Sequence, residues 1–177
     1  MAILETTLPA SRAFWGDDDP IDLGVTREGG QLHIETEIVE QTSAHTGAAP
    51  CGLFAAARRI QVEFGIARPS FLHLLDRMTD ANKRLDPFDP GNAAWDWPPL
   101  AGTVWPAALL RLRPLGAANN ARRDLVLWKA VLIAAVKDDA NPGQRLRFAA
   151  LVDMDESGRA RLARLGDWNI EPTFTCV

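Results

Sequence analysis

Apolar and polar residues alternate most cleanly over residues 31–40. Leu32, Ile34 and Ile38 fall on one side, and His33, Glu35 and Glu37 on the other. A period of two is the mark of a strand with one buried and one wet face. Residues 1–30 carry no such pattern and read as irregular. Asp17-Asp18-Asp19-Pro20 and Glu28-Gly29-Gly30 supply turn residues there.

The period changes after Pro50. Leu53, Ala57, Ile60 and Phe64 recur at helical spacing. Pro50 suits a first helical turn and Gly65 a helix stop, so the pattern predicts a helix over 50–64. A second helix is expected from Pro69-Ser70 to Leu85. Its buried stripe would be Phe71, Leu74, Leu75, Met78 and Leu85. The short link between the two implies a helical hairpin.

Residues 86–106 lack periodicity and are rich in proline and tryptophan. Asp86-Pro87-Phe88-Asp89-Pro90 and Trp95-Asp96-Trp97-Pro98-Pro99 can continue neither a helix nor a central strand. The remainder reads as sheet. Strands are expected over 107–113, 125–136, 145–153 and 159–165, with turns at 138–143 and 155–158. The tail from Trp168 to Val177 could add an edge segment. Leu125–Val136 is apolar throughout; its valines and flanking turns favour a central strand over a buried helix. The expected fold is therefore α+β, a single domain with an antiparallel β-sheet packed on a helical hairpin. That order resembles the helix-grip and cone-shaped ligand-binding folds, a likeness of fold alone.

Composition narrows the function classes. The chain has 177 residues, 47% hydrophobic and 24% charged, which suits one folded domain with its own core. Its net charge of -4 argues against a general nucleic-acid binder, although Arg58-Arg59, Arg122-Arg123 and the arginines of 145–164 form local basic groups. No apolar run reaches the roughly 18–20 residues that a spanning helix needs. The first residues lack the pattern of a secretory signal, so a cytoplasmic protein is expected. Its two cysteines, Cys51 and Cys176, would then be free thiols. Abundant alanine and arginine suggest a GC-rich bacterial or phage coding sequence.

Four groups could carry chemistry. Cys51 would stand at the start of the expected helix, where unpaired N–H groups and the dipole favour a thiolate. His45, six residues upstream, is the candidate base for a thiol-dependent enzyme. His33, Glu35 and Glu37 share one side of a strand and could hold zinc, iron or manganese beside a small-molecule pocket. Asp153-x-Asp155-x-Ser157-Gly158 matches the first half of a calcium loop, but Arg161 and Arg164 stand where later oxygen ligands belong. Phe88, Trp95, Trp97 and Trp105 would give the irregular stretch an aromatic contact surface.

No nucleotide loop, zinc ribbon or hydrolase elbow is present in the sequence, and no cofactor is named by it. The leading expectation is a non-catalytic binding or assembly protein that meets a protein partner, or its own copies, through the tryptophan-proline segment. The thiol enzyme and the pocket protein with a small-molecule ligand are the alternatives. Neither a nucleic acid nor a membrane is expected as partner.

Overall fold

A computed structural model describes residues 1–42, 50–67, 74, 82–85, 93–96, 107–116, 123–138 and 143–166. They are almost entirely antiparallel β-structure. The N-terminal strands are β1 (Ala2–Leu8), β2 (Ser11–Trp15), β3 (Ile21–Val25), β4 (Arg27–Thr42) and β5 (Pro50–Ala67). A small separate pair follows, β6 (Asn82–Leu85) with β7 (Ala93–Asp96). The later strands are β8 (Ala107–Pro114), β9 (Leu125–Asp138), β10 (Gly143–Ala150), β11 (Asp153–Met154), β12 (Ala160–Arg161) and β13 (Ala163–Leu165).

The expected α+β architecture is wrong. Residues 50–64, expected to open a helical hairpin, lie in one long strand, Pro50–Ala67. Of the second expected helix, Asn82–Leu85 is strand, and Leu74 is helical and fully buried in the core; its other positions lie outside the described residues. The likeness to helix-grip folds falls with the hairpin. The error has a physical source. Ile60, Val62, Phe64 and Ile66 alternate with Gln61, Glu63 and Gly65, which is a strand pattern. Nearer Pro50, irregularities in the pairing with β4 shift the phase, at Glu37/Ile38 and at Gln41/Thr42. An extra residue moves later side chains to the opposite face. Leu53, Ala57, Ile60 and Phe64 thereby fell at helical spacing without a helix.

Residues 1–30 are strands rather than irregular chain. Ser11, Ala13 and Trp15 point inward between Arg12 and Phe14, an alternation too short and too mixed in residue type to register. The turn at 16–20 joins β2 to β3.

In the main sheet neighbouring strands run β1-β4-β5-β10-β9-β8-β2-β3, with β13 also on β9. The path closes on itself. β3 pairs with β2 and runs through Thr26 directly into β4, which pairs with β5. Thr26 donates its N–H to the Ser11 carbonyl at 2.7 Å, and its hydroxyl accepts from the Ser11 N–H at 2.9 Å. β2, β3–β4, β5, β10, β9 and β8 thus form a six-stranded antiparallel barrel. β1 extends the hairpin outside the ring, along β4.

The chain turns its corner at Arg27–Gly30, where the pairing of β4 with β5 shifts register. Glu28 and Gly29 both have positive φ, 57° and 79°. A Cβ on Gly29 would lie 2.1 Å from the Leu8 carbonyl oxygen, so only glycine allows β1 to approach here.

The interior is filled with side chains. Phe148 stands between Phe64 and Trp15, with ring centroids 5.7 and 5.9 Å away. The Trp15 indole donates to the Ala130 carbonyl at 3.2 Å. Leu23, Val62, Ile66, Leu110, Leu127 and Leu146 complete the core. Charged side chains such as Arg12, Arg145 and Arg147 face outward. Among the described residues no helix is long and apolar enough to cross a membrane.

Candidate functional site

β4 and β5 are far longer than the barrel requires. β1 pairs with β4 only as far as Thr36, and β10 pairs with β5 only as far as Gln61. Beyond those points the two strands continue together, with Thr42 opposite Pro50. Among the described residues no other strand pairs with either edge of this extension. The result is a two-stranded ribbon that leaves the barrel.

The ribbon carries apolar side chains on both faces. Val39 lies opposite Phe54 on one face. Ile38, opposite Ala55, and Leu53, opposite Glu40, share the other. Ile38 is 39% exposed, Val39 41%, Phe54 50% and Leu53 66%. The inner apolar row of the barrel, Leu32 and Ile34 with Val62 and Ile60, continues into the Ile38–Leu53 face. A two-stranded hairpin is marginal in water by itself, and leaving apolar groups wet on both sides adds no stability. Such a surface gains by being covered.

The sequence-derived candidates map unevenly onto this picture. The main chain of Cys51 belongs to β5, near the far end of the ribbon. Cys51 therefore does not stand at a helix N-terminus, and the helix-based reason for a thiolate is gone. His45, its expected base, lies outside the described residues.

His33, Glu35 and Glu37 do share the outer face of β4, as their spacing predicts. His33 Nδ1 lies 3.1 Å from Glu5 Oε1 across to β1, while Glu35 and Glu37 are paired in register with Arg59 and Ala57. Among the described residues, no three histidine, cysteine, aspartate or glutamate side chains converge enough to hold a metal ion.

In the tryptophan-proline segment, Trp95 belongs to β7, so part of the stretch expected to be irregular is a short hairpin with β6. Phe88, Trp97 and Trp105 lie outside the described residues.

The calcium-like motif forms a hairpin turn that uses its own oxygens. Asp155 Oδ1 accepts from the Ser157 N–H at 2.9 Å, the Ser157 hydroxyl at 2.7 Å and the Arg159 N–H at 2.8 Å. Asp153 is held by Arg161 at 2.6 Å. The Ser157 hydrogen bond, followed by the backbone donors, holds the Asp155 carboxyl below its ordinary value of 3.8. A depressed folded pKa stabilises the turn above the unfolded value, and that stabilisation is lost as pH falls through the folded one. The Ser157 and Arg159 amide shifts in NMR should therefore titrate with a midpoint below 3.8. A midpoint at or above that value would show that these bonds do not hold the carboxylate.

Comparison with protein-family models and with curated proteins finds no match to this chain.

Sequence reasoning passed over the ribbon. Its signals were visible: Ile38-Val39 and Leu53-Phe54 are adjacent apolar pairs, and in any strand one member of each pair must face away from the core.

Proposed function

We propose that this protein is a non-catalytic binding protein that works in a protein assembly, with the β4–β5 ribbon as a contact surface. The observation that carries this reading is the exposure of Ile38 and Leu53 on one face of the ribbon, and of Val39 and Phe54 on the other. A ribbon that no other strand supports among the described residues, with two apolar faces, is best stabilised by a partner that covers both. The filled barrel supports the same reading, since its interior serves as scaffold rather than as a ligand cavity. Trp95 and its neighbouring tryptophans are a second contact element in this proposal, on sequence grounds.

Site-specific photocrosslinking tests it. Phe54, replaced by p-benzoylphenylalanine in the cell that makes the protein, should give a discrete higher-mass adduct. The same group at Glu156, on an exposed turn, should give none. Equal patterns at the two positions would sink the proposal. Serine at both Leu53 and Phe54 should abolish the association while leaving the melting temperature within about 2 °C, because surface substitutions away from special features cost little.

A further inference from the structure

The barrel wall has a gap beside the base of the ribbon. β10 leaves the sheet after Ala150, and its neighbour Leu151 makes one more bond, donating to the Lys129 carbonyl at 2.7 Å. The chain then makes the β11–β12 hairpin and returns to β9, where the Leu162 carbonyl accepts from the Trp128 N–H at 3.2 Å and β13 follows. β13 thus resumes the place along β9 that β10 gave up. β5 is left behind by this detour. It runs on from Gln61 toward Pro50 with the edge that β10 had used now unpaired among the described residues.

The space between β5 and the returning chain is an open cleft of about 540 Å³. Ile60, Trp128, Val152 and Leu162 give it apolar surface, and Arg58, Arg161 and Arg164 give it charge. The Arg161 guanidinium lies 3.9 Å from the centre of the Trp128 ring, and that of Arg164 lies 5.4 Å away. Stacking on the ring fixes a guanidinium while its N–H edge stays directed along the ring plane, toward an acceptor. Asp153 is ion-paired with Arg161. Arg58 donates to the Thr36 hydroxyl at 3.4 Å, a neutral partner.

Each feature selects a property of the occupant. The unpaired edge of β5 presents alternating N–H and C=O groups, which an extended backbone satisfies. The arginines favour carboxylates. Arg58 and Ile60 are two residues apart on one face of β5, so the opposing strand needs a carboxylate and an apolar side chain two residues apart.

We propose that an acidic, extended peptide segment of a partner adds to the edge of β5 in this cleft, with its carboxylates on Arg58 and Arg161. The proposal deepens the assembly reading and rests on it in one respect, that the occupant is a protein segment.

The test uses the full chain and a short fluorescein-labelled peptide in which threonine alternates with valine and glutamate. Fluorescence anisotropy at low salt should show saturable binding, weakened at least about tenfold by Arg58→Glu and by lysine in place of the peptide glutamates, a difference of about 1.4 kcal/mol. Arg58 is exposed, so its variant should keep the circular dichroism spectrum and melting temperature of the parent. Amide exchange over residues 53–60 should slow on binding, and N-methylation of the peptide backbone should abolish both effects.

Several outcomes would overturn the proposal: no saturation up to millimolar peptide, undiminished binding of the N-methylated peptide, displacement by inorganic phosphate alone, or preference for an oligothymidylate. Peptide binding without a Phe54 crosslink would leave the cleft standing and remove the ribbon. A Phe54 crosslink without peptide binding would do the reverse.

Discussion

Replacing Phe148 with alanine should lower the free energy of unfolding by about 3–5 kcal/mol, the range for deleting a buried aromatic ring. Phe148 is fully buried at the centre of the barrel, stacked on Phe64 and tilted against Trp15. The cost should lie toward the upper end because the site cannot easily collapse. β10 is hydrogen-bonded to β5 on one side and β9 on the other, so its backbone has little freedom to move inward. Trp15 is tied by its indole to Ala130 and cannot swing over to fill the space. Phe148→Leu keeps most of the volume and should cost less than half as much. Urea unfolding with an unchanged m-value is the appropriate measurement. A loss below about 1 kcal/mol would mean that the interior repacks freely, contrary to a close-packed core.

Asp124→Ala should cost a similar amount, about 3–5 kcal/mol, for an electrostatic reason. Asp124 is fully buried just before β9. Its Oδ2 accepts from Arg111 Nε at 2.7 Å and lies 3.4 Å from an Arg113 guanidinium nitrogen. Its carbonyl accepts from the Gly166 N–H at 2.8 Å, which ties the end of β13 to the barrel. The Arg111 side chain is only 18% exposed, so removing the carboxylate takes a charged acceptor from a largely desolvated guanidinium. Asp124→Asn keeps the shape and should still be strongly destabilised. Arg111→Met added to Asp124→Asn should recover part of the loss, since the desolvated guanidinium is then removed along with the carboxylate. If the double variant is no more stable than Asp124→Asn alone, the charge pair does not account for the stability of this site.

The strands at 31–40, 107–113 and 125–136 were legible because their apolar residues either alternate or run continuously, and Leu125–Val136 is indeed a central strand. The turn at 155–158 was legible from Asp155, Ser157 and Gly158. β5 was misread for two combined reasons. Ala55-Ala56-Ala57 is good helix sequence, and the ribbon's irregular pairing broke the period that Ile60–Ile66 keeps. A closed barrel also depends on the pairing of β2 with β8 across most of the chain, which no local pattern encodes. The cleft was illegible for the same reason. Arg58, Trp128 and Arg161 are unremarkable apart, and only the detour of the chain through β11 and β12 brings them together. The basic groups at 58–59 and 145–164 were visible in the sequence, without the ring that organises two of their arginines.

That wide separation also bears on how the chain is made. The N-terminal hairpin of β1–β2 with β3–β4 is local and can form early, but β2 finds its other neighbour only when Ser11 meets Pro114. Until β8 has left the ribosome, the inward side chains of Ala13, Trp15 and Leu23 have no opposing wall. Forming pairs between distant segments is slow, because loop-closure entropy must be met before the contacts reward it. Vectorial synthesis therefore holds a long, half-greasy hairpin open for most of translation, and the nascent chain should depend on a holdase until its last strands arrive.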